Sequence, residues 1–288
     1  MSDMPALLLD TALDAVLDTL KLCPFLYLTI FFMEWLEHRA GERMQASIRK
    51  AGAFGPLLGA GLGLVPQCGF SVACAQFYNG GLISAGTLIA IFLSTSDEAI
   101  PLLISHITEV PAMLALLAVK VAAAILFGYA VDLIWSRSRQ EAYFKMQGHQ
   151  HVCEVTEGAS IGEIALEALK RCLSIVAFVF LFSLLTDIFI ALLGRDRLSS
   201  LLLPGPFAPF LCALVGFIPN CAASVLLTEL YLDGIISFGA CAAGLCTAAG
   251  AGLLVFLRGK HRPWLVITML SVLYGAAVLT GTVLQLLL

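Results

Sequence analysis

The chain has 288 residues, of which 60% are hydrophobic and 12% are charged, and its formal net charge is −4. Ordinary soluble domains carry about 25% charged residues, so a soluble fold of this size could not cover so much apolar surface. The composition therefore excludes a soluble enzyme, a nucleic-acid-binding protein and a secreted disulfide scaffold. It predicts an all-α protein that crosses a lipid bilayer several times.

Eight hydrophobic segments are long enough to cross a bilayer, which takes about 20 mostly apolar residues per helix. They run over about 20–36, 53–78, 82–106, 111–135, 165–193, 207–230, 235–257 and 263–288. The stretch between the fourth and the fifth segment is polar. We therefore predict a first transmembrane repeat over 1–135, a cytoplasmic loop over 136–164 and a second transmembrane repeat over 165–288.

The two halves of the chain resemble each other at a fixed offset of 153 residues, without a gap, over 55–103 and 208–256. Matched residues include Pro66 with Pro219, Cys68 with Cys221, Tyr78 with Tyr231, and Gly81 with Gly234. Matches of proline, cysteine and glycine are hard to obtain by chance in apolar helices. Internal repeats of this kind are typical of secondary transporters.

The distribution of basic residues predicts that the repeat is inverted. Lysine and arginine concentrate in cytoplasmic loops. The link near 105–111 has neither, whereas its counterpart near 258–262 holds Arg258, Lys260 and Arg262. Equivalent loops would then lie on opposite sides of the membrane, which needs an odd number of crossings per half. We expect about five helices per half, some of them broken or re-entrant.

Two pairs of matched interruptions predict where the helices break. The first pair consists of Val65–Gly69 and Ile218–Ala222, each with a proline as its second residue, and the second pair consists of Ser94–Glu98 and Thr247–Ala251. Proline removes a backbone donor and disrupts the preceding helical turn. Paired interruptions in two halves are the best sequence indication of a transport site.

Asp97 and Glu98 are the strongest candidates for ion binding, because carboxylates inside an apolar segment usually face a cavity or a partner. Ser94 and Ser96 add hydroxyl groups beside them. The alternative is that the two carboxylates lie at a helix end in water. Lys120, in the middle of the fourth segment, either neutralises one of these carboxylates or snorkels to the membrane surface.

Gln67, Cys68, Asn220 and Cys221 form the second candidate group, since each break carries an amide followed by a cysteine. Amide oxygens suit hard cations and thiolates suit soft ones. The alternative is that both cysteines are small packing residues. The odd count of nine cysteines, with no Cys-x-x-Cys pair, argues against a disulfide framework.

The polar loop contains a weaker metal-binding pattern, in which His149, His151 and Cys153 alternate along the chain. Such a cluster could hold a transition metal loosely, or the histidines could be incidental in a solvated loop.

The glycine-rich run from Gly55 to Gly63 predicts close helix packing. It lacks the Gly-Lys-Ser/Thr that ends a phosphate-binding loop, so no nucleotide site and no cofactor is predicted. The energy for transport would then come from an ion gradient or from a partner.

The paired breaks and the Ser94–Glu98 stretch resemble a bacterial family of ten-helix heavy-metal exporters. Its members carry the labels arsenic-efflux-like and manganese transporter, and they are distantly similar to organoarsenical permeases. The resemblance covers about 20–288 and implies an efflux permease of the inner membrane. The substrate contacts that it implies are Gln67, Cys68, Ser94, Asp97, Glu98, Asn220 and Cys221.

We therefore predict a proton-coupled secondary transporter of the bacterial inner membrane, not an enzyme, that exports a heavy-metal ion, with Mn²⁺ favoured. The alternative is a permease for trivalent arsenicals or organoarsenicals, in which Cys68 and Cys221 bind the metalloid and Asp97 relays protons. A channel or a membrane-embedded enzyme ranks below both. The expected partners are the metal or metalloid and the lipid bilayer, without nucleic acid. The sequence leaves open whether the chain forms a homo-oligomer.

Overall fold

A computed structural model describes six stretches of the chain. Within them the secondary structure is helical, with turns and bends between the helices. The stretches are 54–64, 68–95, 110–135, 205–219, 221–259 and 261–287, and isolated positions are described between 23 and 31, at 100 and 103, and between 162 and 184. The predicted all-α class is confirmed for this part of the chain. The predicted loop at 136–164 lies almost wholly outside it.

Nine helices have both ends within the described residues. They are α1 (Gly55–Leu62), α2 (Cys68–Asn79), α3 (Ala85–Ser94), α4 (Val110–Ile134), α5 (Ala208–Gly216), α6 (Cys221–Leu232), α7 (Phe238–Thr247), α8 (Ala251–Arg258) and α9 (Pro263–Leu287).

The bounds of these helices follow the offset of 153 residues found in the sequence. Helices α2 and α6, α3 and α7, and α4 and α9 begin and end at equivalent positions. The turns before α3 and α7 are also equivalent, because Gly81 and Gly234 take φ of 71° and 70°, a conformation that favours glycine. Ser84 and Ser237 then cap α3 and α7 by accepting a backbone N–H bond. The same local signals therefore build the same elements twice.

The predicted breaks at the two prolines are confirmed. Helix α1 ends at Leu62 and α2 begins at Cys68, while α5 ends at Gly216 and α6 begins at Cys221. The run predicted over 53–78 is therefore two short helices rather than one span. The predicted break after Thr247 is confirmed as well, since α8 begins only after Gly250, whose φ is 54°.

Three candidate membrane spans occur among the described residues: Val110–Ile134, Phe238–Arg258 and Pro263–Leu287. In the second of these, which consists of α7, its break and α8, 94% of the most apolar window is buried in the protein, against 28% and 33% for α4 and α9. The broken span is therefore the interior element, and α4 and α9 present apolar side chains to the outside, as lipid-facing helices do.

Close glycine contacts fix the packing of α3 on α4 and of α7 on α9. A Cβ atom on Gly86 would lie 2.2 Å from the carbonyl oxygen of Gly128, and one on Gly239 would lie 2.4 Å from that of Gly281. In the first pair the carboxylate of Asp132 also accepts the Gly86 N–H at 2.9 Å, beside the positive end of α3. Helix α1 packs on α3, and α5 packs on α7. Each half therefore contains a unit of three packed helices: α1, α3 and α4 in the first half, and α5, α7 and α9 in the second.

Candidate ion-binding site

The structure places three of the predicted site residues at helix ends. Cys68 and Cys221 are the first residues of α2 and α6, and Ser94 is the last residue of α3. The side chains of Cys68 and Cys221 lie outside the described part. The remaining predicted residues lie outside it entirely: Gln67, Ser96, Asp97, Glu98, Asn220, His149, His151 and Cys153.

Ser94 lies where the ends of α1 and α3 meet. Its side chain is fully buried, and its hydroxyl donates within α3 to the carbonyl oxygens of Ala90 at 2.9 Å and Ile91 at 3.1 Å. Gly63, just after α1, allows this approach, because a Cβ atom there would lie 2.0 Å from the Ser94 Oγ. The predicted packing role of the Gly55–Gly63 run is thereby confirmed at its last glycine. The break between α1 and α2 therefore lies next to the C-terminal end of α3.

Thr247 is the equivalent of Ser94 in the second half, and it makes the equivalent contact between the ends of α5 and α7. It is fully buried, and its hydroxyl donates to the carbonyl oxygen of Ala213 at 2.8 Å and that of Gly244 at 2.9 Å. A Cβ atom on Gly216 would lie 2.2 Å from the Thr247 Oγ1. The sequence indicates Thr247 only as part of a predicted break, because a lone threonine is a weak signal of a functional site.

Lys120 links the ends of α3 and α7. It lies near the middle of α4 and its relative exposure is 0%. Its ammonium donates to the carbonyl oxygen of Thr95, just after α3, and to that of Leu245, in the last turn of α7, at 2.6 Å. The predicted alternative of a snorkelling surface lysine is therefore wrong, because the amine turns inward. A pairing with Asp97 or Glu98 involves residues outside the described part and stays a prediction.

Backbone carbonyl groups from the ends of α3 and α7, one helix from each half of the chain, thus meet at the buried Lys120. The C-terminal ends of helices carry partial negative charge and carbonyl oxygens without intrahelical partners. Carbonyl and hydroxyl oxygens of this kind suit hard cations. Among the described residues, no group of three His, Cys, Asp or Glu side chains could hold a metal. The free thiols that are buried in the described part of the protein include Cys74, Cys212, Cys241 and Cys246.

A second polar contact joins α2 to the link between α8 and α9. The His261 Nε2 lies 2.7 Å from the Asn79 Oδ1, and the Asn79 amide donates to the Val255 carbonyl oxygen at 3.2 Å. The Asn79 oxygen is therefore an acceptor, which places the proton of the neutral imidazole on Nε2. The other ring nitrogen, Nδ1, is buried and faces no hydrogen-bond partner among the described residues.

This environment predicts that the protein loses stability at mildly acidic pH. Burial lowers the pKa of His261 from 6.5 to about 4, so the unfolded chain binds more protons between these two values. The contribution of neutral His261 to the free energy of unfolding should then be fully present above pH 6.5 and should fall as the pH drops toward 4. We expect a loss of ~1–2 kcal/mol, allowing for water around the half-buried ring. Melting temperatures of wild type and His261→Gln between pH 7.5 and 4.5 test this; equal pH slopes would contradict it.

Comparison with protein families agrees with a helical protein that crosses the membrane several times. A family model described as "Putative, 10TM heavy-metal exporter" matches residues 6–193, about two thirds of the chain. That range includes the first pair of broken helices, α3, the Ser94–Glu98 stretch and Lys120. Neither the curated proteins nor the solved structures compared with the chain gave a match. The chain thus belongs to this family of ten-helix, membrane-spanning heavy-metal exporters.

Proposed function

We propose that this protein is a proton-coupled secondary transporter of the bacterial inner membrane that exports a divalent metal ion, with Mn²⁺ as the favoured substrate. The observation that carries the proposal is the meeting of two interrupted helices, α3 and α7, at one buried position held by Lys120. Irregular backbone at membrane depth is tolerated where it is buried in protein or lines a watery cavity. Discontinuous helices are also where transporters bind their substrates.

The proposed ligands are oxygen atoms on the segments that follow the broken helices. Asp97 and Glu98 come two and three residues after Thr95, whose carbonyl oxygen binds Lys120. Gln67 and Asn220 immediately precede α2 and α6. Carboxylate and amide oxygens are the donors that Mn²⁺ prefers over thiolates. In this proposal the carboxylates bind the metal in one step of the cycle and carry the coupling proton in another, with hydroxyl groups of Ser94 and Ser96 beside them.

The proposed topology is an inverted repeat, with 1–135 and 165–288 as the two transmembrane units and 136–164 as a cytoplasmic loop. The equal offsets of the helix bounds support the repeat, and the basic residues of the 258–262 link support the inversion. His149, His151 and Cys153 would then lie in the cytoplasm as a weak metal-collecting group. Reporters fused at Gly148 and Leu288 should report the cytoplasm and the periplasm respectively; the same side for both would refute the inversion.

The second candidate function is efflux of a trivalent arsenical. The observation that favours it is that Cys68 and Cys221 are the first residues of α2 and α6, at equivalent positions of the two halves. Two thiolates that converge from these helix starts would bind a soft metalloid. Asp97 would then serve as a proton relay rather than as a metal ligand.

Replacing both cysteines with serine separates the two functions. In Cys68→Ser/Cys221→Ser, we expect Mn²⁺ export to fall but persist, because oxygen ligands remain, whereas arsenical export would be abolished. Transport of each labelled substrate into inside-out vesicles measures both. The matched control is Cys74→Ala/Cys212→Ala, which removes two buried thiols away from the helix starts. Loss of Mn²⁺ transport in the serine variant alone would contradict an oxygen-based site.

A further inference from the structure

Lys120 is the one charged side chain that is fully buried among the described residues. It occurs in only one half of the repeat, since the equivalent position in α9 is Leu273, itself buried. A charge on an apolar span is costly and persists where strong partners compensate it. The partners that the structure gives Lys120 therefore indicate what the lysine is for.

The carbonyl groups of Thr95 and Leu245, which accept hydrogen bonds from Lys120, are each released by a helix end. The carbonyl of Thr95 lies beyond the last turn of α3, which the Thr95 N–H closes by donating to the Ile91 oxygen at 2.9 Å. The carbonyl of Leu245 would bind the N–H of Ala249 in a continuous helix. Instead, Ala249 donates to the Thr247 oxygen at 2.8 Å. The break in α7 thus frees a carbonyl that Lys120 binds.

We propose that the Lys120 ammonium is a tethered cation that occupies a carbonyl-lined site between α3 and α7 and holds the two helix ends together by its charge. Unwound backbone carbonyls and helix C-terminal ends are the groups that bind small monovalent cations in transporters with broken helices. Removal of the side chain should therefore leave a site for a free ammonium or methylammonium ion. The inference rests on the proposed function only in assigning these breaks to the transport path.

Cys246 reports on this site, because it follows Leu245 directly and its relative exposure is 0%. Separation of α3 from α7 would admit a thiol reagent to it. Three variants of the 288-residue chain are compared with wild type in detergent. Lys120→Met keeps the length of the side chain without its charge, Lys120→Ala opens the space, and Leu273→Ala opens a cavity at the equivalent position of the other half.

The experiment measures maleimide labelling of Cys246 by mass spectrometry in choline, ammonium or methylammonium chloride. We expect labelling of Lys120→Met to be about tenfold faster than that of wild type in every salt. Labelling of Lys120→Ala should be equally fast in choline and return close to the wild-type rate in ammonium or methylammonium. The Leu273→Ala rate should be the same in all three salts, because no cation site is opened there.

Two results would overturn the proposal: Lys120→Met that labels as slowly as wild type, or Lys120→Ala that ammonium and methylammonium leave unchanged. If Lys120→Ala can be recovered as a monodisperse protein only when ammonium is present, that result supports the proposal. If the variant can be recovered in none of the three salts, the proposal is contradicted. No transported metal enters this assay. Absence of Mn²⁺ transport by wild type would therefore refute the proposed function without altering the labelling result.

Discussion

Asp97→Asn together with Glu98→Gln should abolish gradient-driven Mn²⁺ export. Neutral amides have nearly the shape of the carboxylates, but they bind a hard divalent cation more weakly and cannot carry a proton. Transport should fall below about a tenth of the wild-type rate, since the double change removes both the charge that balances the metal and the group proposed to couple to the proton gradient. Each single substitution should reduce transport less, if the two carboxylates share these roles.

The double variant is measured as uptake of labelled Mn²⁺ into inside-out vesicles at matched protein content. Asp233→Asn is the control, because it neutralises an exposed carboxylate just after the end of α6. It should transport as wild type does. Normal Mn²⁺ uptake by the double carboxylate variant would show that the site is assigned to the wrong residues.

Gly86→Ala and Gly239→Ala should strongly destabilise the fold. The added methyl group would lie 2.2 Å from the Gly128 oxygen in the first case and 2.4 Å from the Gly281 oxygen in the second. Backbone atoms cannot move aside as a side-chain tip can, so α3 would separate from α4, and α7 from α9. We expect a loss of ~3 kcal/mol or more for each change, at the upper end of the cost of overpacking.

The matched controls are Gly61→Ala and Gly275→Ala, because a Cβ atom at either position meets nothing within 4 Å. In a helix these changes should be neutral or slightly stabilising, since alanine loses less backbone entropy than glycine on folding. Thermal unfolding in detergent, followed by the loss of monodisperse protein, compares the four variants. Equal melting temperatures for Gly86→Ala and Gly61→Ala would contradict the close packing of α3 on α4.

The features that the sequence predicts well are those with local causes. The proline breaks, the glycines with positive φ at Gly81 and Gly234, and the serine caps each act within a few residues. Their exact recurrence in the second half makes the signal stronger than either copy alone. For the same reason the starts of α2 and α6 coincide with the cysteines that the sequence singles out.

The features that the sequence does not predict depend on contacts between distant residues. Lys120 and Leu245 are 125 positions apart, and Asn79 and His261 are 182 apart. A lone lysine in an apolar segment is compatible with either direction of its side chain. The inward direction of the Lys120 side chain is set by the Leu245 carbonyl group, which the break after α7 leaves without its helical partner. This contact cannot be predicted without knowing that α4 packs against α7. Asp97 and Glu98 lie outside the described residues, and the sequence predicts their role from the cost of placing carboxylates in an apolar segment.

Whether the protein exports Mn²⁺ in exchange for protons is measured as uptake of labelled Mn²⁺ into inside-out vesicles under an imposed proton gradient, with and without a competing trivalent arsenical. We expect gradient-driven accumulation of Mn²⁺ that requires Asp97 and Glu98 and that the arsenical does not displace. No movement of Mn²⁺, together with uptake of the arsenical that requires Cys68 and Cys221, would contradict it and assign the chemistry to the thiols.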